Sequence, residues 1–134
     1  MLTGANLPLR VRGENSLRLT CYFPGSDLAG CVSTFVIRDL SSGVPSTVRL
    51  TITSADEEEL VLSDATEAGS AGGGSWAVGD GVATLDVDPA TIEAIPAGTY
   101  SYEWKLIFPA VGEYQRKQPI SFGIFERLNT INAT

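Results

Sequence analysis

The chain contains no histidine in its 134 residues. Histidine is the commonest general acid or base at neutral pH and the commonest transition-metal ligand, so its absence excludes Ser-His-Asp and Cys-His catalysis and most zinc chemistry. Only two cysteines occur, Cys21 and Cys31, and their number and spacing fit neither a disulfide framework nor a metal site. We therefore expect a protein that is not an enzyme and has no catalytic, cofactor or metal site.

The sequence also lacks a long apolar run. No stretch approaches the ~20 residues that a membrane helix requires, and residues 1–6 lack the basic and apolar regions of a signal peptide. With 43% hydrophobic and 19% charged residues, the composition is that of an ordinary globular domain. We expect one soluble domain that is made in a cytoplasm and has no membrane partner.

Basic residues are absent from one long segment. Residues 50–104 contain eleven Asp or Glu and no Lys or Arg, whereas the two flanking segments are mildly basic within a total charge of −7. This distribution argues against nucleic-acid binding, which needs clustered Lys and Arg. One interpretation is self-association, in which the basic ends of one copy meet the acidic segment of another. The alternative is that the acidic run at residues 56–59 is simply a solvated loop.

Short segments of alternating apolar and polar residues predict β-strands separated by turns. The clearest segments are residues 17–23, 31–38, 48–52, 82–87, 100–106 and 119–125. Asp80-Gly81 predicts a hairpin turn, and Asp88, Pro89 and Pro96 bound the one helical pattern. Many short strands with almost no helix predict an antiparallel sandwich.

Residues 95–102 resemble the start of strand F in immunoglobulin-like domains. In those domains a tyrosine two residues before the core cysteine forms the tyrosine corner, so the resemblance places Tyr100 at that corner and Tyr102 at the cysteine position. Cys21 takes the partner position and has no cysteine opposite it. The implied fold is an all-β, antiparallel immunoglobulin-like β-sandwich of seven or eight strands, with one short helix before the Tyr100 strand.

A longer set of motifs resembles small sandwich domains of tailed-bacteriophage virion proteins. It begins with Arg12-Gly13-Glu14 and with Asp27-Leu28-Ala29-Gly30, whose strand ends at Ile37-Arg38. In the order seen in that family there follow the Gly81-Val82 strand, the short helix, Gly98-x-Tyr100-x-Tyr102 and Ile120-x-Phe122. The set covers residues 12–125 and looks like the N-terminal domains of siphophage upper baseplate proteins and tail-fibre attachment proteins. In that family the domain joins a fibre or a neighbouring subunit to the virion and has no catalytic role.

The resemblance implies a non-enzymatic structural protein of the bacteriophage virion. Its expected partners are other virion proteins, in a homo-oligomer or another symmetric assembly. Two placements stay open: a tail, neck or baseplate connector or fibre adaptor, and a capsid decoration protein. The expected division of the chain is an N-terminal arm at residues 1–15, the β-sandwich at 16–126 and a C-terminal arm at 127–134.

Apolar residues in the two arms are candidate assembly contacts. Such an arm can add a strand to the open sheet edge of a neighbouring subunit. The alternative is that both arms lie along their own sandwich as edge strands. The candidate residues are Leu2, Leu7, Leu9, Val11, Leu128 and Ile131.

Aromatic residues offer a second class of function, a carbohydrate-binding module for attachment to a host glycan. Trp76 borders a glycine-rich segment and is the candidate exposed binding aromatic, or else a partly buried edge residue. The row of Tyr100, Tyr102 and Trp104 has two interpretations, a sugar-stacking platform or a core strand with its tyrosine corner.

Overall fold

The computed structural model describes residues 5–13, 15–40, 47–56, 58–71 and 74–129. Within these ranges the alternating segments form eleven strands, and a 3₁₀ turn at Ser54–Asp56 and a short helix, α1 (Pro89–Glu93), connect some of them. The strands are β1 (Ala5–Asn6), β2 (Leu9–Arg12), β3 (Leu17–Phe23), β4 (Val32–Asp39), β5 (Val48–Thr53), β6 (Leu60–Asp64), β7 (Gly69–Ala71), β8 (Gly74–Trp76), β9 (Gly81–Val87), β10 (Gly98–Ile107) and β11 (Lys117–Leu128).

Two sheets pack face to face as a sandwich. The larger sheet has the order β5-β4-β10-β11, with β1 and β2 both pairing with β11, and the smaller sheet has the order β3-β9-β6. Every pairing in the two sheets is antiparallel except those of β1 and β2 with β11, which are parallel. In immunoglobulin-domain terms, the smaller sheet contains strands B, E and D, and the larger contains C′, C, F and G. The prediction of an all-β immunoglobulin-like sandwich is confirmed.

The core lies between the two sheets and is built by alternation along the strands. On β10, Tyr100, Tyr102 and Trp104 are buried, and the polar residues between them face outward. This aromatic row is therefore a core strand, and it offers no platform to a sugar. The largest fully buried apolar side chains come from both sheets and from α1: Phe35, Ile37, Leu60, Leu85, Val87, Ile92, Leu106 and Phe125.

A buried set of hydrogen bonds crosses the larger sheet. The Trp104 indole N–H donates to Ser33 Oγ at 2.9 Å, and Ser33 Oγ donates to the Lys105 carbonyl at 2.9 Å. The Ser33 backbone N–H donates to Ser54 Oγ at 2.8 Å. Because Ser33 is fully buried, these bonds satisfy polar groups that folding has removed from water. They also fix the position of the 3₁₀ turn against β4.

Tyr100 links β10 to the connection that precedes it. Its hydroxyl donates to the Pro96 carbonyl at 2.6 Å, which is the geometry of a tyrosine corner. Helix α1 lies just upstream and buries Ile92 against the core. Asp88 occupies the N-cap position, but its side chain makes no capping hydrogen bond. The start of the helix is therefore favoured by Pro89 at its first position and by the burial of Ile92.

The predicted hairpin at Asp80-Gly81 is wrong. β8 pairs with β7, whereas β9 pairs with β3 and β6. Asp80 instead closes a turn at residues 77–80, because its carboxylate accepts the Ala77 N–H at 2.8 Å and its own N–H donates to the Ala77 carbonyl at 3.1 Å. Gly79, with φ of 92°, supplies the left-handed conformation that this turn requires.

Replacing Tyr100 by Phe removes the hydroxyl and keeps the ring. The loss of this hydrogen bond leaves the Pro96 carbonyl unpaired, so we expect the free energy of unfolding to fall by about 1–2 kcal/mol. Tyr114→Phe is the matched control, since Tyr114 is 85% exposed and should tolerate the same change. Urea unfolding followed by fluorescence measures both variants, and equal stabilities would contradict the role of Tyr100.

Candidate functional site

The N-terminal arm lies along its own sandwich. β1 and β2 pair with β11, and Leu9 and Val11 are buried in the core. Leu128 is half-buried and is the last residue of β11 itself. The predicted boundaries at residues 15 and 126 are therefore corrected, because sheet pairing extends from β1 to the end of β11. Leu7 is the one described arm candidate that stays exposed; Leu2 and Ile131 lie outside the described residues.

A glycine and a tyrosine hold the arm in place. The Leu7 N–H donates to the Phe122 carbonyl at 2.9 Å, and the Tyr102 hydroxyl donates to the Leu7 carbonyl. At Gly123 a Cβ atom would lie 2.8 Å from Asn6 Oδ1 and 3.3 Å from the Leu7 oxygen, and φ is 146°. Only glycine adopts this backbone conformation and also lets the arm approach so closely, and we call this position the notch at Gly123. Burial raises the pKa of Tyr102, so its hydroxyl remains a donor at neutral pH.

Gly123→Ala should therefore loosen the arm. A methyl group at this position pushes against Asn6 and Leu7, so we expect the Leu7 amide to exchange its hydrogen at least ~10-fold faster, as for a local opening of low free energy. Gly25→Ala is the control, since Gly25 also has a positive φ of 73° but has open space around its Cβ position. Hydrogen exchange measured by mass spectrometry compares the two variants. Unchanged exchange at Leu7 in Gly123→Ala would show that Gly123 is not needed to hold the arm.

Three connections lie at one end of the sandwich, which we call the loop end and define by its described residues, 24–31, 65–71, 74–80 and 108–116. Two of them touch, because Pro109 covers Gly30 so closely that a Cβ there would lie 2.9 Å from the proline ring. In the described part of the chain, the three most exposed large apolar side chains all lie here. They are Val78, Val111 and Tyr114, with 67%, 78% and 85% of their surface exposed.

The connection between β10 and β11 carries its apolar residues on a defined turn. Val111 and Tyr114 exchange two backbone hydrogen bonds, of 2.7 and 3.0 Å. The Arg116 guanidinium lies 3.8 Å above the centre of the Phe108 ring, a cation–π contact. With Pro109, these four residues line a shallow depression of about 400 Å³. The turn therefore presents a small apolar surface beside a cation.

Trp76 is half-buried, which corrects the prediction of an exposed aromatic. Its ring stacks on Tyr22, with ring centres 3.6 Å apart and planes 9° apart, and its indole N–H donates to the Glu67 carbonyl at 3.0 Å. The ring also covers Gly69 on the paired strand, where a Cβ would overlap it. Trp76 nevertheless lines a cleft of about 360 Å³ together with Asp64 and Glu67.

Acidic and basic residues that are separate in sequence interleave in the fold. Arg18 pairs with Asp86 at 2.9 Å, and Lys105 pairs with Glu103 at 2.7 Å, so cations of both flanks already meet acids of the middle segment within one chain. The fold therefore does not separate the charges into one basic and one acidic surface, as the simplest form of the self-association hypothesis requires. The described acids of the run at 56–59 are exposed or half-buried: Asp56, Glu58 and Glu59.

The two cysteines are unpaired and half-buried. Burial raises the pKa of both thiols. Cys21 lies on β3 opposite Ala83, and Tyr102, at the position of the second immunoglobulin cysteine, packs its ring 5.5 Å from that of Phe35. Phe35 lies on β4, the neighbour of β10 in the larger sheet, so this ring contact is made within one sheet, and no disulfide joins the two sheets among the described residues.

The exposed apolar residues of the loop end were missed from the sequence. Val111 and Tyr114 lie in a connection, where periodicity assigns no face, and Val78 lies in the turn at residues 77–80. Their one signal is that apolar residues interrupt an otherwise polar or proline-containing connection. Within the described ranges, no helix is long and apolar enough to span a membrane, and no group of three or more Cys, Asp or Glu side chains is placed to hold a metal ion.

Comparison with known proteins finds distant likeness among solved structures. No protein-family model and no curated protein match the chain. The chain is similar to the solved structure of AggA, the major subunit of aggregative adherence fimbriae type I from Escherichia coli. The identity is 14% and the TM-score 0.38, over 92% of this chain and 89% of that one. A likeness at this level assigns no function.

Proposed function

We propose that the chain is a non-enzymatic structural protein of a bacteriophage virion that assembles with other virion proteins by direct contact. The observation that carries the contact role is the loop end, where Val78, Val111 and Tyr114 are each exposed. The ordered motif set at residues 12–125 supplies the phage context. A connector or fibre adaptor in the tail, neck or baseplate is the leading placement, ahead of capsid decoration.

The loop end suits protein contact for physical reasons. Tyrosine and arginine are the residue types that most often dominate interface energies, and both Tyr114 and Arg116 are exposed here. The backbone bonds between Val111 and Tyr114 hold the turn before a partner binds, so binding orders few additional groups. Burial of this patch against a partner contributes roughly 25 cal/mol of favourable binding free energy for each Å² of apolar surface removed from water.

The double variant Val111→Asp with Tyr114→Ser tests this contact. An aspartate and a lost aromatic ring at the centre of the patch should reduce incorporation into phage particles at least ~10-fold, as expected for interface centres. Leu40→Asp is the control, because Leu40 is 53% exposed and follows β4 at the opposite end of the sandwich. Circular dichroism verifies that both variants fold.

Quantitative blotting of purified particles, complemented with each variant, gives the measurement. Full incorporation of the double variant would contradict the contact role of the loop end. Particles that lack the protein and are nevertheless intact and infectious would contradict the virion role itself.

A second candidate function is glycan binding at the Trp76 cleft, as in a carbohydrate-binding module. The observation that favours it is the lining: an aromatic ring, two carboxylates of Asp64 and Glu67, and the hydroxyls of Ser63 and Thr66. Sugar rings pack on aromatic surfaces, and their hydroxyls bond to carboxylates. A concave site with a few convergent polar groups is the usual form of a small-molecule site.

Trp fluorescence tests the glycan candidate. Addition of host polysaccharide should give a saturable shift, since Trp76 lines the cleft and the other tryptophan, Trp104, is buried. Asp64→Asn with Glu67→Gln should abolish the shift, whereas Glu93→Gln, an exposed acid outside the cleft, should preserve it. Absence of any saturable shift across host polysaccharides would eliminate this candidate.

A further inference from the structure

The larger sheet has an outer face with an apolar centre. Phe122 and Ile124 on β11 are 41% and 42% exposed, while Phe125 on the opposite face of the same strand is fully buried. A strand that is apolar on both faces is typical of a sheet covered on both sides. The described residues leave this side of the sheet uncovered, so the pattern points to a partner.

The strand register assembles this surface, which we call the outer face. Val36 pairs with Glu103, and Glu103 pairs with Phe122, so one row of side chains crosses β4, β10 and β11. The next row contains Arg38 and Ile124, on either side of Ser101 on β10. Together these strands and β5 form a concave depression of about 630 Å³.

The charges on the outer face have both signs. Although the chain carries −7 overall, the depression at the centre of this surface is lined by the cations Arg38 and Lys105 and one carboxylate, Glu103. Lys105 pairs with Glu103 at 2.7 Å, and Arg38 forms no ion pair among the described residues. A surface of this kind is complementary to itself. A two-fold rotation can set Arg38 of one copy near Glu103 of the other, and the symmetry repeats that contact.

The area is sufficient for a stable contact. Five strands spaced ~4.8 Å apart, with about seven residues each at ~3.3 Å, give a face of about 24 by 23 Å. Two such faces bury about 1,100 Å² in total, which exceeds the roughly 1,000 Å² expected of a specific interface. Face-to-face packing of sheets is itself a standard arrangement.

We propose that the outer face binds the outer face of a second copy of this chain, forming a two-fold symmetric dimer. Val36, Phe122 and Ile124 form its apolar centre, and two reciprocal Arg38–Glu103 pairs set its register. This inference rests on the proposed assembly role and names one partner within it. The loop end lies outside this surface and stays available to a different virion protein.

Light scattering coupled to size-exclusion chromatography tests the dimer on the purified chain alone. The wild-type protein should have the mass of two chains, and Phe122→Ser with Ile124→Ser should have the mass of one. Val61→Ser is the matched control, since Val61 is 36% exposed on the other sheet, and it should remain dimeric. Thermal unfolding by circular dichroism verifies that each variant is folded.

Charge reversal tests the register independently. Arg38→Glu alone and Glu103→Arg alone each place like charges together, so each should raise the dimer dissociation constant at least ~10-fold. An equimolar mixture of these two variants should restore dimers, because every cross pair is then attractive. Restoration in the mixture requires the two residues to meet across the interface.

A wild-type chain that stays monomeric at ~100 µM, a concentration that reveals even weak dimers, would overturn the proposal. So would dimers that both the Phe122 and Ile124 changes and the charge reversals leave intact. If the chain is monomeric and yet Phe122→Ser blocks incorporation into particles, the occupant is another virion protein, and the second copy is rejected. Loss of the dimer leaves the loop-end contact untouched, because that contact is measured in particles.

Discussion

The parallel pairing of residues 5–12 with β11 is the constraint on which the rest of the molecule depends. It turns β11 from an edge strand into an interior strand, and interior strands offer no free row of backbone groups to other chains. The pairing requires the notch at Gly123 and the Tyr102 hydroxyl that bonds to Leu7. Because the first strands join the larger sheet, β3 is left as an edge of the smaller one.

This arrangement determines how the chain can meet partners. A strand donated by the N-terminal arm would have to leave its own sheet and expose Leu9 and Val11, which are buried in the core. Contact through a face or a loop costs no such unfolding. The outer face of the larger sheet exposes Phe122 and Ile124, and the loop end exposes Val78, Val111 and Tyr114. Both proposed contacts therefore use surfaces that the folded domain already presents.

Alternation along the chain predicted the strands because it is a local property. The helix and Tyr100 were likewise predicted from neighbouring residues, through Pro89 and the motif around Gly98. Pairing between distant segments was not accessible: Asp80-Gly81 has hairpin chemistry, but the turn residues do not specify which strands they join. An arm paired with its own sheet has the same sequence pattern as a donated one. Phe122 and Phe125 are both apolar, so period alone could not identify the inner face of β11.

The tyrosine at position 102 has a consequence for the environments in which the domain is stable. An immunoglobulin sandwich with a disulfide between its sheets loses stability when that bond is reduced, typically by 2–5 kcal/mol in small domains. Here Tyr102 packs within the larger sheet against Phe35, and Cys21 remains a thiol with a raised pKa. The sandwich therefore relies on no disulfide between its sheets, in a reducing cell interior and in oxidising surroundings alike.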